Sequence, residues 1–218
     1  MPHLLHLDSA ASQKNSRSRE ITATFADAWR GRGPEFSVTY RDLHREPLPH
    51  LADAVLHWPP RLRPEGAASV DAAALATAEA LQDELIGELL GADVLLVGAP
   101  LYNYTVPSTL KAWIDQVHVL GVTAPFGGKQ TQPYKGKPAV IVASQGLAYD
   151  DGPQQGMDHG VPVLREILGR ALGMDVTVLY TRYTLATRVP LLEQMIGRAA
   201  AEHEAALRQA AELATTLA

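Results

Sequence analysis

The chain has 218 residues, 46% of them hydrophobic, and a formal net charge of -5. That length fits one sizeable domain with a real core, and the acidic balance disfavours a nucleic-acid binder, which carries a basic face. There is no cysteine, which excludes disulfides, thiolate metal sites and a cysteine nucleophile.

The N-terminal Met1-Pro2-His3-Leu4-Leu5-His6 lacks the basic start and long apolar run of a secretory signal. No apolar run approaches the ~20 residues that span a bilayer, so a cytoplasmic protein free of the membrane is expected. Leu4 to Leu7 reads as a first strand. Ile21, Phe25, Ala28 and Trp29 fall at helical spacing, so Ser18 to Arg30 reads as a helix that Gly31 and Gly33 end. Phe36, Val38 and Tyr40 alternate as in a second strand. Residues 43–68 are rich in proline, carry His44, His50 and His57, and read as a long excursion. Val70 to Leu90 is a helix with Leu81, Leu85 and Leu89 on one face and Gly91 as its stop.

Val94 to Val97 is a third strand, and Pro107 opens a helix carrying Leu110, Ile114 and Val117. Residues 121–136 form a second excursion. A fourth strand (Ala139 to Ala143), a helix (Val161 to Leu172), a fifth strand (Val176 to Tyr180) and an Ala-rich helix (Leu191 to Leu217) complete the chain. Alternating strands and helices predict a parallel sheet covered on both faces. Continuously apolar strands agree, because both of their faces are buried. Five strands fit the order 2-1-3-4-5, whose ligands bind where the first and third strands diverge.

Three loops follow strands in a position to meet there. Residues 8–18, Asp-Ser-Ala-Ala-Ser-Gln-Lys-Asn-Ser-Arg-Ser, lead into a helix N-terminus. Free N–H groups there, with Ser9, Ser16, Ser18 and Arg17, suit a phosphate; the same serines also suit helix capping. Neither G-x-x-x-x-G-K-[ST] nor G-x-G-x-x-G is present, so a terminal monophosphate such as that of FMN fits better than a triphosphate or a dinucleotide. Pro100, Leu101, Tyr102, Asn103 and Tyr104 offer backbone N–H groups, an amide and flat aromatic faces to a planar ring. Ser144, Gln145 and Gly146 form a small-residue turn that lets the backbone approach such a ring. The histidines lack metal-ligand spacing, and no metal site is expected. Trp58, Tyr149, His118, His159, Lys129, Lys135 and Lys137 have readings as local packing or a solvated rim.

The run Pro100-Leu101-Tyr102-Asn103-Tyr104, with Ser108-Thr109-Leu110-Lys111 and Asp115, resembles the flavin loop of the FMN-dependent NADH:azoreductase and NAD(P)H:quinone oxidoreductase family. Leu7-Asp8-Ser9 with Ser16-Arg17-Ser18 resembles that family's phosphate loop. Leu168-Gly169, Leu172-Gly173 and Asp175-Val176 resemble its entry to the fifth strand. Where members commonly carry Ser-Arg-Gly-Gly, this chain has Ser144-Gln145-Gly146-Leu147. The resemblance implies a flavodoxin-like domain over residues 1–218 that binds FMN and takes electrons from NADH or NADPH. It further implies ping-pong reduction of quinones and aromatic azo compounds by a homodimer. Ser9, Ser16, Arg17 and Ser18 would hold the phosphate; Pro100 to Tyr104 and Ser144 to Gly146 would hold the ring. A flavodoxin-type electron carrier and an α/β hydrolase are the alternatives. The first would carry a more acidic flavin edge; the second would need a nucleophile elbow that Ala143-Ser144-Gln145-Gly146 does not supply.

Overall fold

Five strands pair in parallel in the order β2-β1-β3-β4-β5. They are β1 (His3–Asp8), β2 (Ser37–Asp42), β3 (Val94–Pro100), β4 (Pro138–Ser144) and β5 (Asp175–Thr181). The computed structural model describes residues 1–51, 71–128, 130–150 and 152–217. Val70, His57, Trp58 and Lys129, all named above, lie outside the described residues.

The pleat sends alternate residues to opposite faces. Leu4, Val94, Leu96, Val140 and Val142 point one way, onto α1 (Arg17–Arg30) and α5 (Ile196–Thr216). Ile21, Phe25 and Trp29 supply the α1 side of that core, and Ala206, Ala210 and Ala214 supply the α5 side. Small residues four apart let α5 lie close against α1. Leu5, Leu7, Leu95, Val97 and Ile141 point the other way. There they meet α2 (Ala72–Gly91), α3 (Ser108–Val117) and the helix beginning at α4 (Gly160–Leu164). Trp113 and Tyr134 are wholly buried on this face, each large enough to contribute a few kcal/mol through apolar burial.

The helix ends follow local chemistry. Ser16 caps α1, its Oγ accepting from the Arg19 N–H at 3.3 Å. Asp71 caps α2 by accepting from the Ala73 N–H at 2.9 Å. Lys137 donates from Nζ to the Leu90 and Ala92 carbonyls at 2.6 and 2.7 Å, closing the C-terminal end of α2 with a cation.

Two helices differ from the expectation. The Leu191 to Leu217 helix is a 3₁₀ turn over Pro190–Met195 before it becomes α5. Pro190 at the first position, with no N–H to give, favours that tight start. The Val161 to Leu172 helix is α-helical only over Gly160–Leu164 and widens to a π-helix over Arg165–Ala171. Leu168 and Leu172 remain fully buried through that wide segment, so its geometry keeps both on the sheet. Among the described residues no helix is long and apolar enough to cross a membrane.

Candidate functional site: a crevice at the carboxyl edge of the sheet

The parallel topology brings the loops after β1, β3, β4 and β5 to one edge of the sheet. An open crevice of about 740 Å³ lies there. Its walls are residues 12–17 with Arg19 and Glu20, then Pro100, Leu101 and Tyr102, then Ser144 and Gly146, and finally Thr184, Leu185, Thr187 and Arg188. Among the residues singled out in the sequence, Ser16, Arg17, Pro100, Leu101, Tyr102, Ser144 and Gly146 come together on it.

Ser9 and Ser18 are buried instead. The Ser9 hydroxyl donates to the Gly98 carbonyl at 2.6 Å, and Ser18 Oγ lies 3.1 Å from Ser16 Oγ. The Gln145 side chain also turns away. Its Nε2 donates to Asp158 Oδ2 at 2.8 Å, while Asp158 Oδ1 accepts from the Gly160 and Val161 N–H groups and so caps α4. Gln145 thereby ties the loop after β4 to a helix start.

Residues 102–105 form a tight turn closed by reciprocal backbone bonds, Tyr102 N–H to Thr105 O at 2.9 Å and Thr105 N–H to Tyr102 O at 3.1 Å. Asn103 and Tyr104 both adopt left-handed backbone, with φ of 48° and 70°. Positive φ at both central positions defines a type I′ turn, which favours Asn-Gly; a tyrosine there carries strain of the kind that collects at functional sites. The turn is held from three sides. Tyr104 O accepts from the His159 N–H at 2.8 Å, the Tyr104 ring meets Tyr149 edge-on at 6.3 Å, and the Tyr102 hydroxyl accepts from the Ala11 N–H at 3.1 Å. The last contact joins the aromatic loop to the serine loop.

Beneath the serine loop lies a charged cluster. Arg19 donates from Nη2 to Asp42 Oδ1 at 2.8 Å and to the Ala10 carbonyl at 2.7 Å, and from Nη1 to the Tyr40 hydroxyl at 3.0 Å. The Tyr40 hydroxyl donates to Asp8 Oδ2 at 3.2 Å, and Thr22 Oγ1 donates to Asp8 Oδ1 at 2.9 Å. His6 Nε2 stands 3.4 Å from Asp8 Oδ2. A side chain at Gly98 would put its Cβ 2.5 Å from Asp8 Oδ1, so only glycine leaves room for that carboxylate. Burial alone would raise the Asp8 carboxyl; His6, Thr22 and Arg19 outweigh it and hold the group below its ordinary value. Asp42 is likewise held low, its burial outweighed chiefly by Arg19. Tyr40 is pushed up to about 12, first by burial and then by the Asp8 charge.

Sequence reading passed over Arg19, Asp158 and the wall from Thr184 to Arg188. Thr-Leu-Ala-Thr-Arg carries no motif, and only its place directly after the fifth strand could have marked it. Asp158 had a signal: an Asp two residues before the start of a helical run reads as a cap.

A family model described as a flavodoxin-like fold matches residues 2–213. The chain is 57% identical to the FMN-dependent NADH:quinone oxidoreductase of Kineococcus radiotolerans, with 100% of both chains covered. It is 40% identical to the enzyme of the same name from Frankia alni, over 95% of this chain and 98% of that one. Among solved structures, an azoreductase from Bacillus anthracis superposes with a TM-score of 0.80 at 20% identity, covering 100% of both chains. An FMN-dependent NADH-azoreductase from the same species, solved in complex with FMN, superposes with a TM-score of 0.78 at 16% identity, covering 98% of this chain and 100% of that one. Those structural likenesses establish the fold, and the near relatives establish more: the chain belongs to the flavodoxin-like family of FMN-dependent NADH:quinone oxidoreductases.

Proposed function

We propose that this protein binds FMN in the crevice and passes electrons from NADH to quinones and aromatic azo compounds in a ping-pong cycle. One observation carries the reading: at the edge where β1 and β3 diverge, a serine-lined helix N-terminus meets a slot walled by Leu101, Tyr102 and Gly146. The volume of about 740 Å³ falls in the range of ~300–1,000 Å³ usual for small-molecule sites.

The donor set fits FMN at both ends. At one end, the first turn of α1 has N–H groups with no intrahelical acceptor, the Ser12 and Ser16 hydroxyls lie beside them, and Arg17 adds charge. That is a monophosphate site. Ser9 and Ser18 serve it from beneath, through their backbone and their inward hydrogen bonds. At the other end, Pro100 to Tyr104 and Ser144 to Gly146 hold the ring, with Gln145 acting through its link to Asp158.

Bound FMN supplies the two-electron chemistry. The chain's own work is placement. The Tyr102–Thr105 turn fixes one side of the ring slot, and Leu185 packs over Gly146, where a Cβ would approach its Cδ1 to 2.8 Å. Tyr104 and Tyr149 present aromatic surface to a flat acceptor. Donor and acceptor use the same opening in turn, which is the geometric basis of ping-pong kinetics. We further assign a homodimer in the cytoplasm. The resemblance implies the dimer, and Leu185, Leu191 and Ile196, which are 40%, 82% and 40% exposed, give an apolar rim to cover.

The test is a visible spectrum of the protein with FMN, then anaerobic NADH, then a quinone. Bleaching by NADH and recovery on quinone are expected. Bound flavin that NADH leaves oxidised would make the protein an electron carrier, and no flavin binding would overturn the site. Light scattering in solution should give twice the 23.5 kDa of one chain.

A further inference from the structure

Residues 11–15 are exposed and make few bonds of their own. Asn15 N–H donates to Ser12 Oγ at 3.2 Å, and Ala11 N–H donates to the Tyr102 hydroxyl. The shape of this loop is therefore imposed from beneath. The largest single hold is Arg19, whose Nη2 grips the Ala10 carbonyl while also grasping Asp42. Gln13 extends the hold: with its amide oriented to match its neighbours, it donates to Asp42 Oδ2 and accepts from Arg19 Nη2, both at 3.1 Å.

The cluster is poorly explained as a stability device. Taking a guanidinium and two carboxylates out of water costs several kcal/mol per ion, and apolar replacements of such groups are often neutral or better. Arg19 even leaves its Nε buried without a partner. What the cluster supplies is geometry. A planar fork with fixed donor directions can bridge the ends of β1 and β2 to a loop carbonyl, whereas a point charge cannot.

We infer that Arg19 is a positioning residue for the phosphate loop: clamped by Asp8, Tyr40 and Asp42, it holds the Ala10 carbonyl so that Ser12, Ser16 and the first turn of α1 face one phosphate. The inference rests on the FMN reading above. It separates position from charge, because Arg19 also borders the crevice and could be imagined to attract the phosphate directly. In the positioning account, loosening Arg19 while leaving its charge weakens FMN. In the charge account, removing the neighbouring carboxylate strengthens it.

The experiment titrates apoprotein with FMN and with riboflavin, which lacks the phosphate, by flavin fluorescence quenching. It compares the wild type with Arg19→Lys and Asp42→Asn, both of which keep a cation at position 19. The wild type should prefer FMN over riboflavin. Both variants should lose FMN affinity by at least about tenfold, the scale of one charge-assisted hydrogen bond, with riboflavin affinity held within about twofold. An equal loss for both ligands would reveal a merely structural role and overturn the inference, as would FMN binding that Asp42→Asn leaves unchanged or tightens. If Arg19→Lys does not fold, Asp42→Asn alone decides by the same ratio. A wild type without preference for FMN would overturn the phosphate reading itself and the inference with it. A wild-type preference that both variants keep would overturn the inference alone.

Discussion

The two ends of the crevice are held by different means. At the serine end, buried charges do the holding: Asp8, Arg19 and Asp42 lock strand ends to a loop whose own residues are exposed. At the aromatic end, the backbone does it: a two-residue turn with left-handed Asn103 and Tyr104, closed by its own hydrogen bonds and steadied by the N–H of His159. The contrast follows from what each end would grip. A phosphate needs several donors aimed at one point, so a shape fixed from below is worth the desolvation of ions. A flat ring needs a flat, closely approaching backbone, and a tight turn gives that without any charge.

If that contrast is right, damage should differ in kind between the ends. The largest effect falls on the charged end. Asp8→Ala leaves Arg19 half-paired and takes an acceptor from the Tyr40 and Thr22 hydroxyls in a buried site, and should cost about 3 kcal/mol of stability in urea unfolding. A loss under half of that would mean the cluster is wetter than its geometry implies. Next, Ser16→Ala removes the cap on α1, costing about 1 kcal/mol, and should weaken FMN more than riboflavin. The same double loss should appear for Ser16→Ala combined with Ser18→Ala. At the aromatic end the signs part. Tyr104→Gly relieves left-handed strain and should hold or raise stability by up to about 1 kcal/mol, yet slow NADH-dependent quinone reduction. A thermal melt and a turnover assay on the same sample check it, and a variant both less stable and equally active would break the comparison.

The smallest effects come with pH. Asp8 and Asp42 titrate below 3.8 in the folded chain, so their contribution is complete above that value and is lost as the pH falls through their lowered folded values. His203 acts in the same direction at higher pH. It lies on α5, 3.0 Å from Glu20. Burial first and Arg17 second depress it below 6.5, outweighing Glu20. Below pH 6.5 the unfolded chain binds a proton that the folded one refuses, so stability declines as the pH falls. Melting curves between pH 7.5 and 5.5 should therefore slope less in His203→Gln than in the wild type, and equal slopes would remove His203 from the account.

The division between what was legible in the sequence and what was not is physical. The central strands could be read because a strand buried on both faces must be apolar throughout, as Val94 to Val97 and Ala139 to Ala143 are, and the edge strand β2 through the alternation of Phe36, Val38 and Tyr40. The flavin-type loops were legible through resemblance, and their place at the strand ends followed from topology. Side-chain direction was not legible. Gln145 stands in a loop that lines the crevice but points to Asp158, a partner thirteen residues away. Arg19 looked like one more polar residue at the start of an amphipathic helix. Its role depends on Asp8 and Asp42, which only strand pairing brings side by side, at matched positions of β1 and β2. The 3₁₀ and π segments were hidden because apolar spacing alone cannot distinguish helix types over a turn or two.

The π-helical stretch over Arg165–Ala171 has a bearing on changes of chain length. A widened helix turn accommodates an additional residue while the chain on either side keeps its course. Here Gly160–Leu164 stays tied through Asp158 to the loop after β4, and Asp175–Thr181 stays in register with Pro138–Ser144. A one-residue change of length in that segment should therefore leave both the loop after β4 and the strand order in place.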